Sequence, residues 1–147
     1  PGWAATSNRA GVASAYDERA ALGAVRTARA GADAVVVLIH WGIELDRCPG
    51  GELVRFADAL HVAGASVVAG HHPHVLQPVD ARPNRVTAYS LGNFVWYHDR
   101  PPSDATGVLE VGIDGAGVES TFHAARVGAD GRPRLVAGAA PGGCGIG

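Results

Sequence analysis

The chain has 147 residues, 47% of them hydrophobic, with 12 basic residues against 14 acidic ones and a formal net charge of −2. That apolar content suffices for the core of one domain and argues against disorder. All the basic residues are Arg and none forms a run, which argues against a nucleic-acid partner.

Residues 1–15, rich in Ala, Gly, Ser and Asn, read as an entering loop. From Asp17 the spacing predicts a helix: Asp17 can cap it, Leu22, Val25 and Ala28 recur on one face, Arg26 and Arg29 suit its last turn, and Gly31 ends it. The run Ala34 to Ile39 is apolar and β-branched with no polar alternation, which predicts a strand buried on both faces of a parallel sheet. A second amphipathic helix follows from Glu52 to Ala63, with Leu53, Phe56, Ala57 and Leu60 as its buried stripe. Ser66–Ala69 reads as a second buried strand, parallel to the first, and Arg85–Ser90 as a third. Val108–Asp114 and Val118–Phe122, separated by a Gly-rich turn, predict an antiparallel hairpin. Leu135-Val136 is at most a last strand, and residues 138–147 read as a flexible Gly-rich tail. The fold class is therefore α/β (α+β), a βαβ unit followed by an antiparallel hairpin.

Three polar clusters fall just after the three predicted strands. They are His40-Trp41-Gly42-Ile43-Glu44, Gly70-His71-His72-Pro73-His74 and Ser90-Leu91-Gly92-Asn93-Phe94. In open α/β sheets ligands bind at the carboxyl ends of the strands, where such loops converge. Pro73 disfavours the helical region for His72, so an extended His72-Pro73-His74 is expected, with both imidazoles on one side and His71 facing away. Two imidazoles on a stiff clamp suit a divalent transition metal such as Zn, Mn, Fe or Co. His40, at the end of an apolar strand, is a third candidate ligand. Glu44 is a candidate outer-sphere partner that orients a ligating His. Asn93 either caps the Gly92 turn or offers a neutral oxygen to the site. His61, His98 and His123 are expected to be solvated.

The carboxylates that a two-metal centre needs as bridging ligands are missing, so three imidazoles would hold one ion weakly. No nucleophile elbow, P-loop or dinucleotide fingerprint is present. Trp3, Trp41 and Trp96 do not form an aromatic platform by spacing. Cys48 and Cys144 lie far apart in no metal-ligand spacing; two cysteines make no disulfide framework, so two free thiols are expected rather than one bridge. No stretch of about 18 apolar residues is present to span a membrane, no secretory signal opens the chain, and the lack of Met marks it as processed or as part of a longer polypeptide.

The stretches Val35–Glu44 (VVVLIHWGIE), Gly70–Gln77 (GHHPHVLQ) and Ala88–Val95 (AYSLGNFV) together resemble the CapA family of poly-γ-glutamate capsule synthesis proteins, related to calcineurin-like metallophosphatases. The resemblance implies a metallophosphatase-like sheet sandwich flanked by helices, with residues 1–137 as its carboxyl-terminal part. It implies metal ligation by His40, His72 and His74, catalytic positions at His71 and Asn93, and a supporting role for Glu44. The residue before His72 is His71, where the superfamily has Gly. It further implies divalent transition-metal ions, a small-molecule or polymer substrate, capsule-synthesis partner proteins, and a cell-envelope or extracellular location. The expected function is metal-dependent hydrolysis, of phosphoesters by preference, in envelope-polymer synthesis; the alternative is a non-catalytic accessory or a fragment with an incomplete metal site. Because half of such a sheet would be absent, an exposed strand edge or apolar face is expected, and with it self-association.

Overall fold

The computed structural model describes residues 2–97, 99–115, 117–138 and 141–145; His98 lies outside them. The order of elements is α1 (Glu18–Arg29), β1 (Val36–His40), α2 (Gly51–Val62), β2 (Val67–His71), β3 (Val79–Arg82), β4 (Arg85–Ala88), β5 (Ala105–Asp114), β6 (Gly117–Val127) and β7 (Pro133–Leu135). A four-stranded sheet has the order β1-β2-β4-β3, and a three-stranded sheet the order β5-β6-β7.

Local chemistry accounts for the helices. Asp17 Oδ1 accepts a hydrogen bond from Ala20 N at 3.0 Å, capping α1, an interaction worth about 1 kcal/mol. In α2, Phe56, Ala57 and Leu60 are buried, as the apolar stripe predicts. The two helices are tied by Arg55, whose guanidinium donates to both carboxylate oxygens of Glu18. Their apolar faces pack with Val35, Val68, Trp41 and Tyr89 into the core.

β1, β2 and β4 run parallel, with Val36 opposite Val67 and Val67 opposite Val86. The βαβ grammar is thus realised. The burial of the first strand is not. β1 is an edge strand, and only one of its faces is covered: Val36 is 54% exposed and Leu38 74%. His40 lies on that same bare face, two residues beyond Leu38. A run of β-branched residues therefore marks a strand but cannot tell one covered face from two. The bare side of β1 is an exposed apolar face of the kind expected.

β3 has no counterpart among the predicted strands. It pairs antiparallel with β4 across a two-residue connection at Pro83-Asn84, where Asn84 takes a φ of +64°. Its sequence, Val-Asp-Ala-Arg between two prolines, carries little β signal; an edge position tolerates both the prolines and the charges. The β5–β6 hairpin is longer than predicted at both ends. No helix among the described residues is long and apolar enough to cross a membrane.

The cysteines pair. Cys48 and Cys144 form a disulfide across a sequence separation of 96 residues, overturning the expectation of free thiols. It fastens the Gly-rich end of the chain to the loop that follows β1. Of the histidines expected to be solvated, His61 departs from that reading and His123 keeps to it. His61 is half-buried, with Nδ1 on the carbonyl of Ala65 at 2.8 Å and Nε2 on the Thr87 hydroxyl at 2.7 Å, so it joins α2 to β4. His123 is exposed but engaged, with Nε2 on the Glu110 carboxylate at 2.8 Å.

Candidate functional site

The site forms where β1 and β2 end. His40 and His71 are register partners on these parallel strands, and Trp41 N donates to the His71 carbonyl at 3.0 Å. Gly70 leaves the room at the end of β2 that the Trp41 indole and the Tyr89 carbonyl occupy. A Cβ at Gly70 would lie 2.1 Å from the Tyr89 carbonyl oxygen and 2.3 Å from Trp41 Nε1. Those two atoms are hydrogen-bonded to each other at 2.8 Å in the core. The loop after β1 is then tied down by Leu45 N on the Pro73 carbonyl at 2.8 Å, by Gln77 Nε2 on the Asp46 carbonyl at 2.9 Å, and by the disulfide.

His72-Pro73-His74 is not an extended clamp. His72 has a φ of +108° and His74 of +57°, so both backbones are left-handed while Pro73 is buried between them. Proline does exclude the right-handed helical region for His72, but the chain takes the other exit, because a tight reversal back into the sheet is needed here. Non-glycine residues in such conformations persist only where the surroundings over-determine them. The two imidazoles are gathered nonetheless. The ring centroids of His72 and His74 are 6.0 Å apart, and those of His40 and His72 4.6 Å, both tilted. The imidazoles of His40, His72 and His74 thus lie near one another, but through a local geometry other than the extended one expected.

Asn93, from the loop after β4, is buried and fully engaged. Its Nδ2 donates to the carbonyls of His74 (3.2 Å) and Ser103 (3.0 Å), which turns Oδ1 toward His74 Nδ1 at 2.7 Å. Two carbonyl acceptors fix the amide orientation, so Nδ1 of His74 is the donor to Oδ1, and in the neutral ring Nε2 keeps its lone pair. On its face, His74 stacks against Trp96, with centroids 4.9 Å apart and planes 23° from parallel. The spacing of Trp96 to the other tryptophans does not single it out. Its stacking partner is an imidazole 22 positions away, which no periodicity shows.

Partial desolvation by its neighbours, and after it the imidazoles of His72, His74 and His71, hold the exposed His40 below the ordinary imidazole pKa. Glu44 is exposed on the loop, with no hydrogen bond or ion pair to a histidine among the described residues. The hydrogen bond to a histidine ring expected of Glu44 is made instead at His74 by Asn93. Also among the described residues, no three His, Cys, Asp or Glu side chains converge as a ready metal-ligand set.

A family model described as bacterial capsule synthesis protein PGA_cap matches residues 1–98. The chain belongs to the PGA_cap family. The match takes in His40, His71, His72, His74 and Asn93, and stops before Ser103. This PGA_cap chain is similar to the PGA biosynthesis protein CapA of Bacillus subtilis (strain 168), with 43% identity over 95 residues, 65% of this chain and 25% of that protein. It is also similar to the capsule biosynthesis protein CapA of Bacillus anthracis, with 49% identity over 65 residues, 44% of this chain and 16% of that protein. The PGA_cap chain thus spans a quarter or less of the length of these relatives.

Proposed function

We propose that this chain supplies the histidine half of a divalent transition-metal site serving hydrolysis in the synthesis of a capsular polymer at the cell envelope. The observation that carries the reading is the gathering of His40, His72 and His74 at two adjacent strand ends, with His74 Nδ1 engaged by Asn93 so that Nε2 is free to ligate.

The donor set fits such an ion in kind. Imidazoles ligate in the neutral form, and the environment of His40 favours that form. Imidazole nitrogen suits Zn, Mn, Fe or Co and selects against Mg or Ca. The set falls short in number: the three rings do not converge on one point, and carboxylate or other oxygen ligands must come from residues outside this cluster. When bound, such an ion supplies a hydroxide nucleophile near neutral pH or polarises a phosphoryl oxygen.

Within this scheme Asn93 is a positioning residue, since all its polar contacts are spent on His74 and Ser103. His71 is exposed at the strand end and outside the ring contacts of the other three, and the role left to it is proton transfer to or from substrate. The disulfide supports an oxidising, extracytoplasmic location. The relatives' names, PGA biosynthesis and capsule biosynthesis, support a polymer substrate and partner proteins of the same synthesis.

The test is elemental analysis of the purified chain together with turnover of an aryl phosphate, both repeated on His72→Ala/His74→Ala. Metal and turnover lost together in the variant are the expected result. Metal binding without turnover would favour a non-catalytic accessory role. No metal in the wild-type chain would overturn the proposal.

A further inference from the structure

We propose that Trp96 is a positioning residue for His74, held in place by the β6–β7 turn of the second sheet, beyond the end of the family match. Its metal arm rests on the function proposed above; its tautomer arm does not.

Two restraints act on the His74 ring. Asn93 Oδ1 holds it in its plane at Nδ1, and Trp96 covers its face with centroids 4.9 Å apart. Trp96 is itself held from two sides. Tyr97 packs against it at 4.4 Å between centroids, and Trp96 N donates to the Gly131 carbonyl at 3.0 Å. Gly131 sits in the turn between β6 and β7 with a φ of +75°, and Gly131 N donates to the Gly128 carbonyl at 2.8 Å. A Cβ at Gly131 would stand 2.9 Å from the Trp96 carbonyl oxygen, so only glycine lets the turn lie against this loop. The second sheet supports Asn93 as well, through the Ser103 carbonyl just before β5.

A ring restrained at one nitrogen can still swing about that bond. The stacked indole removes this freedom and keeps the ring seated on Asn93 Oδ1; without it the ring leaves that bond part of the time, and both the direction of Nε2 and the Nδ1–H tautomer that Asn93 sets are lost. Partners of this kind typically set metal affinity by a factor of ten or more. The second sheet is thus part of the site, although residues 99–138 carry none of the histidine cluster.

The experiment compares wild type, Trp96→Leu, Trp96→Phe and Gly131→Ala by two readouts. The first is the ¹⁵N imidazole spectrum of His74, recorded without metal about two pH units above the ordinary imidazole pKa. Wild type and Trp96→Phe should show a single Nδ1–H tautomer, whereas Trp96→Leu and Gly131→Ala should show averaged shifts from a ring in exchange. The second is Co²⁺ affinity, expected to fall about tenfold in Trp96→Leu and to recover in Trp96→Phe. Thermal unfolding runs alongside, because a role in packing alone would lower Tm and leave tautomer and affinity unchanged. A single His74 tautomer in all four proteins would overturn the proposal. Loss of the tautomer lock in a chain that binds no Co²⁺ would sustain this inference and sink the metal reading.

Discussion

Replacing His72 gives the sharpest test of how the site is built. At a φ of +108° a β-carbon is unfavourable, and strain of this kind costs on the order of 1–3 kcal/mol. The His72 side chain has ring contacts with His40 and His74 but no hydrogen bond among the described residues. Alanine removes those contacts and keeps the strained β-carbon; glycine removes both. Glycine also gives up roughly 0.4–1 kcal/mol through the greater freedom of the unfolded chain. His72→Gly should therefore be more stable than His72→Ala by about 1 kcal/mol, the reverse of the order within a helix or strand. Urea unfolding would show this as a higher midpoint for the glycine variant at an unchanged m-value, and both variants should lose bound metal. An alanine variant as stable as the glycine variant would refute the claim that the backbone is strained at His72.

Three further outcomes follow from the fold. Reduction of Cys48–Cys144 opens a loop closed over 96 residues, so stability should fall by about 2–4 kcal/mol on adding a thiol reductant; Cys48→Ser should start lower and show no response to reductant. His61 is held below its ordinary pKa, chiefly by burial and against the pull of the Ala65 carbonyl. Its folded-state pKa thus lies below the unfolded value, so the stability present above about pH 6.5 is lost as pH falls through the folded value; His61→Gln should flatten that part of the pH–stability curve, and an unchanged slope would contradict the assignment. The bare face of β1 should drive self-association, seen by light scattering and reduced by Leu38→Lys; a monodisperse monomer at high concentration would count against it.

Much of this was legible in the sequence, for reasons that differ by element. The helices announced themselves through Asp17, the Arg pair at the end of α1 and the Phe56-Ala57-Leu60 stripe, because caps and 3.6-residue periodicity act locally. The parallel strands showed as β-branched runs, and the polar residues just after them marked the sheet edge where the histidines gather. What stayed hidden depends on long-range partners. Whether Val36 and Leu38 are covered is decided by what packs on β1, not by β1. The disulfide joins segments that share no local pattern. Asn93 was legible as a candidate but not as the partner of His74, and Trp96 acts through a fold-dependent stack. The left-handed backbone of His72 and His74 shows the limit of the proline rule, which excludes one conformation without choosing among the rest.

The most direct test of the account is a Co²⁺ or Zn²⁺ titration of the purified chain beside His72→Ala/His74→Ala. Saturable binding by the wild type, lost in the double variant while the fold persists, is the predicted result. Equal binding by both proteins, or none by the wild type, would contradict the claim that these imidazoles form a ligand set.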